Sequence, residues 1–298
     1  MGRIAFVFSG QGDQYPGMGK ELYERYETAA KVFQVCDSLR PGTVQQCFAG
    51  TAEELKETKN TQPCLFAMEL AAAQVLVEKG IKPAAVAGFS LGEVAAATAA
   101  GCFDLETGFR LVCRRGELMQ REAEKFDTAM AAVVKLTTEE VIELCGRYSD
   151  IYPVNFNCPG QITVSGLADQ LPAFSADVKA AGGRALPLKV KGAFHSPFMK
   201  EAAAAFGDEL EKAGMKKGRI CLYSNVTAQP YPDDGAQLLA KQIASPVQWE
   251  KIIRNMIEDG IDTFVEIGPG KTLTNMIGKI DSGVKALPVA AFLEETVC

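Results

Sequence analysis

Short apolar runs alternate with longer stretches of helical periodicity along most of the chain. The runs Ile4–Phe8 and Ala84–Phe89 are apolar and bounded by turn residues, so each is predicted to be a buried strand. The stretches between and after them repeat apolar residues at helical spacing. They predict the helices Lys20–Leu39, Gln62–Lys79 (with Thr61 as a cap and Gly80 as its stop), Leu91–Ala100 (closed by Gly101) and a helix from the cap Asp104 to about Lys125.

The pattern changes in the middle of the chain, where strand-like runs follow one another more closely. Tyr152–Asn157 and Gln161–Ser165 are predicted to form a hairpin, joined by a Pro-Gly turn. The surrounding elements are the strands Ala129–Lys135 and Arg184–Val190 and the helices Thr138–Arg147 and Ala168–Ala181. The order strand, helix, strand, strand, helix, strand is typical of a ferredoxin-like unit.

The last part of the chain returns to alternating strands and helices. Its predicted elements are the helices Pro197–Ala213, Gln237–Ala244, Val247–Asp259 and Thr272–Lys279 and the strands Arg219–Asn225 and Thr263–Ile267. Such alternation favours a mostly parallel sheet covered on both faces. We therefore predict an α/β protein with a large domain, residues 1–125 and 192–298, and a small inserted domain, residues 126–191.

Composition and charge narrow the function classes. Hydrophobic residues make up 47% and charged residues 23% of the 298 residues, which is typical of a globular protein with a real core. The net charge is -6 and there is no basic tail, so nucleic-acid binding is not expected as the main role. The apolar runs are too short to span a bilayer, and the first of them predicts a strand and not a signal peptide.

The cysteine count indicates a reducing compartment. The chain has nine cysteines, an odd number, and no pair is spaced as C-x-x-C. This pattern argues against a disulfide framework and against a zinc ribbon. Free thiols are typical of the cytoplasm, which is the expected location.

The histidine count restricts the chemistry further. His195 is the single histidine of the chain, so mechanisms that need two histidines, such as that of the H-E-x-x-H metalloproteases, are excluded. A neutral-pH imidazole base, if one exists, must be His195. His195 follows a small-residue turn at the predicted domain junction.

A candidate nucleophile stands between the second predicted strand and the helix after it. Gly88-Phe-Ser90-Leu-Gly92 matches G-x-S-x-G, a motif that turns sharply and projects its serine into a cleft. The N–H of Leu91 would lie at a helix N-terminus, where it can stabilise an oxyanion. A serine needs a base, which predicts His195 as its partner. No acid between Ser90 and His195 stands out, so a backbone carbonyl or an amide side chain could orient the histidine.

Arg115 gives a clue to the substrate. On the Leu105–Lys125 helix it falls at the edge of the apolar stripe, whereas Arg114 points to solvent. A buried arginine is costly unless it is paired. The helical phase leaves two partners open, a carboxylate of the protein and a carboxylate of the substrate.

Taken together, the motifs resemble one family, the malonyl-CoA:acyl carrier protein transacylases of fatty acid and polyketide synthesis. The resemblance covers nearly the whole chain and rests on motifs that occur in the family's order. These are Gly10-Gln11-Gly12, Thr61-Gln62-Pro63, Gly88-x-Ser90-Leu-Gly-Glu93, Arg115-Gly-x-Leu-Met119, Asn155-Phe-Asn-x-Pro-Gly-Gln161, Phe194-His195-Ser, Pro246-Val-Gln248-Trp249 and Glu266-Ile-Gly-Pro-Gly-Lys271.

The resemblance implies an α/β-hydrolase-like large domain, a ferredoxin-like insertion and a ping-pong reaction. Ser90 would accept the malonyl group of malonyl-CoA, and the phosphopantetheine thiol of acyl carrier protein would then take it. The reaction needs no cofactor beyond the coenzyme A thioester, and a free-standing monomer is expected.

The resemblance also implies roles for individual residues. His195 would be the base, Arg115 would bind the malonyl carboxylate, and the N–H groups of Gln11 and Leu91 would form the oxyanion hole. The backbone carbonyl of Gln248 would orient the histidine. Three further positions match motifs near the cleft: Gln62, Asn155 and Asn157.

The chain departs from the family at two positions. Phe89 stands where many members have histidine, and Asp13 where serine or alanine is common. Phe194 resembles the residue of malonyl-selective members, since a bulky neighbour leaves little room for an α-methyl group.

Two other functions are compatible with the residues. One is a serine esterase or thioesterase on the same scaffold, and the other is a non-catalytic module that only docks carrier proteins. Carrier proteins are acidic, so docking to this acidic chain needs a local basic patch. Lys189, Lys191 and Lys200 flank the His195 segment and are candidates, although scattered solvated lysines explain them equally well.

Overall fold

The computed structural model describes residues 2–297. The strands are β1 (Ile4–Phe8), β2 (Ala85–Gly88), β3 (Thr128–Val134), β4 (Ile151–Cys158), β5 (Gln161–Leu167), β6 (Arg184–Lys191), β7 (Cys221–Tyr223), β8 (Thr263–Ile267) and β9 (Lys285–Pro288). The helices are α1 (Lys20–Arg25), α2 (Glu27–Leu39), α3 (Thr43–Ala49), α4 (Thr58–Glu78), α5 (Gly92–Ala99), α6 (Leu105–Ala123), α7 (Thr138–Cys145), α8 (Leu171–Ala180), α9 (Lys200–Ala213), α10 (Ala236–Lys241), α11 (Trp249–Glu258), α12 (Thr272–Ile280) and α13 (Val289–Val297).

A parallel sheet of five strands, in the order β7-β2-β1-β8-β9, forms the centre of the larger part of the fold. Every residue of β1 is buried, because consecutive side chains enter opposite cores. Phe6 and Phe8 pack with the helices α2, α4, α5 and α6. Ala5 and Val7 pack with α11 and α12 on the other face. The predicted α/β class with a doubly covered parallel sheet is confirmed.

The second sheet is antiparallel and has the order β4-β5-β3-β6. The helices α7 and α8 close a separate core on it, which contains Val133, Val164 and Phe174. This is the ferredoxin-like arrangement that the sequence pattern predicted. Its four strands all lie between Thr128 and Lys191.

Backbone hydrogen bonds join the antiparallel sheet to the segment that precedes α11. The N–H of Phe156 in β4 donates to the carbonyl of Val247, and the N–H of Val247 donates to the carbonyl of Val154, both at 2.9 Å. Val247 immediately precedes the Gln248–Trp249 start of α11, so β4 is tied to the larger part of the fold.

Several predicted boundaries were wrong. The predicted helix Lys20–Leu39 is two helices, because Tyr26 is extended at φ -129° and ψ 119°. Helix α4 begins at Thr58, so Thr61 is not its cap. Instead the Thr61 hydroxyl lies inside the first turn, 3.1 Å from the carbonyl of Glu57. The sequence reading also missed α3, β9 and α13.

Two smaller observations concern the sequence expectations. The eight cysteines among residues 2–297 are all free thiols, and most of them are buried. No helix in residues 2–297 combines the length and the apolar character needed to cross a membrane.

Candidate active site

Ser90 stands on a sharp turn between β2 and α5. Its φ is 55°, a left-handed conformation that a non-glycine residue adopts only when its surroundings hold it there. The flanking glycines allow this turn, because a Cβ at Gly88 would overlap the backbone of Gly92 and one at Gly92 would overlap the carbonyl of Phe8. The sequence motif therefore folds as a strand-to-helix elbow with the serine at its tip.

Ser90 is hydrogen bonded to His195. The distance between Ser90 Oγ and His195 Nε2 is 2.7 Å. On the far side of the ring, Nδ1 lies 2.9 Å from the carbonyl oxygen of Gln242. A carbonyl only accepts, so Nδ1 carries the proton and Nε2 is left to accept the serine proton.

The environment of His195 keeps the ring neutral. Burial, together with the positive charge of Arg115, lowers the pKa of His195 to about 4. The ring is therefore unprotonated at neutral pH, as a general base must be.

The carbonyl that contacts His195 is not the one that the motif resemblance implied. Gln248 caps α11, and its N–H donates to the carbonyl of Asn225 at 2.9 Å. The contact belongs to Gln242, six residues earlier. Gln242 begins a short 3-10 turn that ends at Ala244, and this turn directs its carbonyl to the histidine. No ion pair among the described residues involves His195.

Arg115 is completely buried, and it points at the serine. Its guanidinium donates to Oε1 of Gln62 at 2.9 Å, to Oε1 of Gln242 at 2.7 Å and to Ser90 Oγ at 3.4 Å. Its Nε has no hydrogen-bond partner among residues 2–297.

Arg115 keeps its charge without a contacting carboxylate. Within residues 2–297 no Asp or Glu forms an ion pair with it. Burial lowers the pKa of Arg115 to about 10, against the opposing effect of Glu93, so the guanidinium is still charged at neutral pH. The helical phase left two partners open for Arg115. The first of them, a carboxylate of the protein in contact with the guanidinium, is not found among residues 2–297.

A cavity of about 90 Å³ lies in front of these groups. Seven of the residues singled out from the sequence line it: Gln11, Gln62, Ser90, Leu91, Arg115, Asn155 and His195. The remaining walls are apolar and come from Phe89, Met119, Met130, Leu188, Val190 and Phe194. The cavity lies between the two sheets, since Met130, Leu188 and Val190 belong to the antiparallel one.

Two backbone N–H groups are available at this cavity. Among the hydrogen bonds of residues 2–297, none is donated by the N–H of Gln11 or of Leu91. Leu91 also precedes the first turn of α5, where the helix dipole favours negative charge. Both groups are thus free to bind an oxyanion.

Asn157 and Gln248 do not line the cavity. Asn157 is buried within the antiparallel sheet, where its Nδ2 donates to Thr163 Oγ1 at 3.2 Å. The pairing of β4 with β5 shifts register between Phe156 and Cys158. Such an irregularity disturbs the alternation of faces, so Asn155 and Asn157 need not point the same way.

Sequence reasoning assigned no role to three buried polar residues behind the site: Glu93, which it quoted only as part of a motif, Asn225 and Gln242. Gln242 bonds to Arg115 and Ser90 through its side chain and to His195 through its carbonyl. For Glu93 there was a signal, because its polar side chain is followed by the apolar run Val94–Ala97, whereas Asn225 and Gln242 have polar neighbours in Ser224 and Lys241.

The fold and site are those of an enzyme in which a serine at a strand-to-helix elbow is paired with a histidine. The family profile described as acyl transferase domain matches residues 5–292, and the chain belongs to this family. The assignment from the motifs is thereby confirmed.

The relatives are more specific. The malonyl CoA-acyl carrier protein transacylase of Bacillus subtilis is 37% identical over 298 residues, which cover 97% of this chain and 94% of the relative. The crystal structure of the transacylase of that name from Clostridium perfringens has a TM-score of 0.95 at 35% identity, covering 99% and 96% of the two chains. A malonyl-transacylase solved in complex with its type II PKS acyl-carrier protein has a TM-score of 0.94 at 31% identity, covering 98% and 99%.

Proposed function

We propose that this protein moves a malonyl group from coenzyme A to the phosphopantetheine thiol of an acyl carrier protein, through an ester on Ser90. The observation that carries the proposal is Arg115. Its buried charge lies 3.4 Å from Ser90 Oγ and contacts no carboxylate of the described chain. Relatives that span nearly the whole chain are named for this reaction.

In the first half-reaction, Ser90 Oγ attacks the carbonyl carbon of the malonyl thioester. His195 Nε2 takes the hydroxyl proton, and the N–H groups of Gln11 and Leu91 bind the oxyanion of the tetrahedral intermediate. The carbon–sulfur bond then breaks, and coenzyme A leaves as its thiol with the proton from His195. The malonyl group remains as an ester on the serine.

In the second half-reaction, the carrier thiol replaces coenzyme A. His195 takes the thiol proton, the sulfur attacks the ester carbon, and the bond to Ser90 Oγ breaks. Ser90 recovers its proton from His195. The same groups serve both half-reactions, because the second is the reverse of the first with a different thiol.

Arg115 selects the acyl group in this proposal. A malonyl carboxylate can form a charge-assisted, bidentate pair with the guanidinium. The pair would also hold the ester so that water is badly placed to attack it, which favours transfer over hydrolysis. Gln62 and Gln242 keep the guanidinium oriented when the site is empty.

The size of the cavity supports selection against branched acyl groups. Phe194 forms part of the wall beside His195, and the free volume is about 90 Å³. We expect methylmalonyl-CoA to react with a much lower kcat/KM than malonyl-CoA. Comparable values for the two thioesters would contradict this selectivity.

The proposal extends to the carrier and to the organisation of the chain. Lys189 and Lys191 lie on the exposed edge strand β6, beside Leu186 and Leu188, which are 50% and 38% exposed. Together with Lys200 they offer a basic, partly apolar surface next to the cavity for an acidic carrier. The positions of the strands support domains of residues 1–125 with 192–298, and 126–191.

We further propose a cytoplasmic monomer that uses no cofactor besides its substrates and acts without nucleic acid or membrane. The free thiols support the reducing compartment.

The deciding experiment is the intact mass of the protein after brief mixing with malonyl-CoA. We expect a malonyl-sized gain in the native chain and none in Ser90→Ala. Steady release of coenzyme A without a mass gain would indicate a hydrolase. If the mass does not increase and no coenzyme A is released, either malonyl-CoA is not the acyl donor or the protein is a module that only binds carriers.

A further inference from the structure

Asn225 is a buried side chain that contacts the backbone on both sides of the nucleophile turn. Its Nδ2 donates to the carbonyl of Gly88 at 2.6 Å, and its Oδ1 accepts the N–H of Ser90 at 2.8 Å. Asn225 has no exposed surface and does not line the cavity. Its contacts are therefore with the backbone on either side of Phe89, directly before the serine side chain, and not with the cavity.

These two bonds replace strand pairing that stops too early. The register between β2 and β7 ends at Ala87 and Tyr223. Beyond that point the chain of β7 no longer pairs with β2, yet the carbonyl of Gly88 and the N–H of Ser90 still need partners. The amide of Asn225 supplies one donor and one acceptor in place of the missing backbone.

Asn225 is itself held at both of its backbone groups. Its N–H donates to Oε1 of Glu93 at 2.9 Å, and its carbonyl accepts the N–H of Gln248 at 2.9 Å. Glu93 Oε1 also accepts the hydroxyl of Tyr231 at 2.8 Å. Since Glu93 lies in α5, the asparagine is anchored to the helix that follows the nucleophile.

We propose that Asn225 is a positioning residue that keeps Ser90 in its left-handed conformation. A non-glycine residue at φ 55° is strained and persists only where several contacts fix it. With those contacts, Ser90 Oγ stays aimed at His195 Nε2, and the Leu91 N–H stays aimed at the oxyanion. This inference rests on the proposed role of Ser90 as the malonyl acceptor.

The test separates the rate of acylation from the binding of the substrate. The rate of Ser90 malonylation by malonyl-CoA is followed by rapid mixing and mass spectrometry. For Asn225→Ala we expect a fall of about 100-fold, the effect of a displacement of about 1 Å at a reacting atom. Malonyl-CoA affinity, compared between Ser90→Ala and the double variant Ser90→Ala/Asn225→Ala, is expected to change less than about threefold, because the contacts of Arg115 remain.

Asn255 provides a matched control. Its Nδ2 also donates to a backbone carbonyl, that of Ala228 at 2.7 Å, but it does not line the cavity. Asn255→Ala loses a similar bond and is expected to acylate at the native rate. If Asn225→Ala does not fold, Asn225→Asp decides, because it keeps the acceptor for Ser90 and loses the donor to Gly88. It is expected to acylate at least tenfold more slowly, the equivalent of one lost buried hydrogen bond.

The outcomes are distinguishable. A native protein that is not malonylated would contradict the proposed function. A malonylated native protein with a folded Asn225→Ala variant of native rate would overturn the positioning role alone. The positioning role would also be overturned if Asn225→Ala lost malonyl-CoA affinity and not acylation rate. A native acylation rate in Asn225→Asp would overturn it as well.

Discussion

At the scale of single residues, the reaction depends on burial that holds two neighbouring groups in useful protonation states. Arg115 stays charged although no carboxylate of residues 2–297 forms an ion pair with it, and His195 stays neutral at 2.7 Å from Ser90 Oγ. The two states are linked, because the charge of Arg115 is one of the causes that lower the pKa of His195. Each state has a measurable consequence.

The first consequence concerns the acyl group. Arg115→Ala removes the partner of the malonyl carboxylate, so we expect kcat/KM for malonyl-CoA to fall roughly 10- to 200-fold, the worth of about 1.5–3 kcal/mol for a charge-assisted bond. The kcat/KM for acetyl-CoA, which has no carboxylate, is expected to fall far less. The measurement is steady-state transfer with both thioesters.

The neighbouring residue is the control for this change. Arg114 lies on the same helix, but its side chain is 42% exposed and pairs with Glu117 at 3.1 Å. Arg114→Ala is expected to leave kcat/KM unchanged for both malonyl-CoA and acetyl-CoA. If Arg115→Ala keeps the native kcat/KM for malonyl-CoA, Arg115 does not bind the malonyl carboxylate.

The second consequence concerns pH. The base must be neutral, so acylation is lost as the pH falls through the pKa of His195. That pKa is about 4, below the ordinary value of about 6.5. We expect the kcat/KM of acylation by malonyl-CoA to be flat from about pH 6 to 8 and to decline only near pH 5 and below. A decline centred near pH 6.5 would show that His195 titrates like a solvated histidine.

Which residues could be predicted depends on how their role is encoded. The elbow position of Ser90 and the inward orientation of Arg115 were predictable because they follow from a turn motif and from helical phase, although the phase left the partner of Arg115 open. His195 was predictable because it is the single histidine. Gln242 was not, because it orients His195 through a backbone carbonyl, a group that every residue has. Its side-chain bonds to Arg115 and Ser90 join segments far apart in sequence.

At the scale of elements, the elbow between β2 and α5 requires the closest approach of backbone in the site. The first strand passes directly behind the elbow, so that Gly92 faces the carbonyl of Phe8. The sequence predicted this element well, since a serine between two glycines after an apolar strand and before a helix matches the G-x-S-x-G elbow in its structural context.

Replacing Gly92 tests the elbow. A methyl group there would overlap the carbonyls of Phe8, the last residue of β1, and of Ser9, which follows it, so the turn must move. We expect Gly92→Ala to lose at least about 100-fold in Ser90 malonylation, the effect of a shift of about 1 Å. The control is Gly278→Ala in α12, where a Cβ meets nothing within 4 Å.

The two variants differ in stability as well. Alanine is favoured over glycine within a helix by about 1 kcal/mol, so Gly278→Ala is expected to keep native activity and a native or higher Tm. Thermal unfolding and the mass assay together check both variants. Native malonylation in Gly92→Ala would mean that the elbow yields easily.

Elements were missed where local pattern is weak. Tyr26 breaks the first predicted helix without a glycine or proline nearby to mark it. Helix α3 has only seven residues, and β9 is a four-residue edge strand that ends in Pro288. Such short elements depend on the packing of the rest of the fold, which the local sequence does not encode.

At the scale of the whole molecule, the site lies between the two sheets. The parallel sheet supplies the serine, and the antiparallel sheet supplies part of the wall through Met130, Leu188 and Val190. The exposed edge strand β6 therefore reaches from the cavity to the surface. We therefore expect a partner that delivers a thiol to Ser90 to contact β6.

This placement predicts how the two substrates respond to charge on β6. Reversing Lys189 and Lys191 to glutamate is expected to raise the KM for an acidic carrier protein by about tenfold, because both lysines lie at the surface a carrier would contact. The rate of Ser90 malonylation by malonyl-CoA is expected to change less than about threefold, since neither lysine lines the cavity. The carrier effect should shrink as salt is raised.

The matched control reverses two lysines of similar exposure elsewhere, Lys212 and Lys217, whose charges pair with Glu209 and Asp233. It keeps the same change in net charge, so any general effect of a more acidic protein on an acidic partner appears in both variants. A carrier KM that rises equally in the two would place docking on another face. A larger rise for the β6 pair, lost at high salt, would identify β6 as the path by which the carrier reaches the serine.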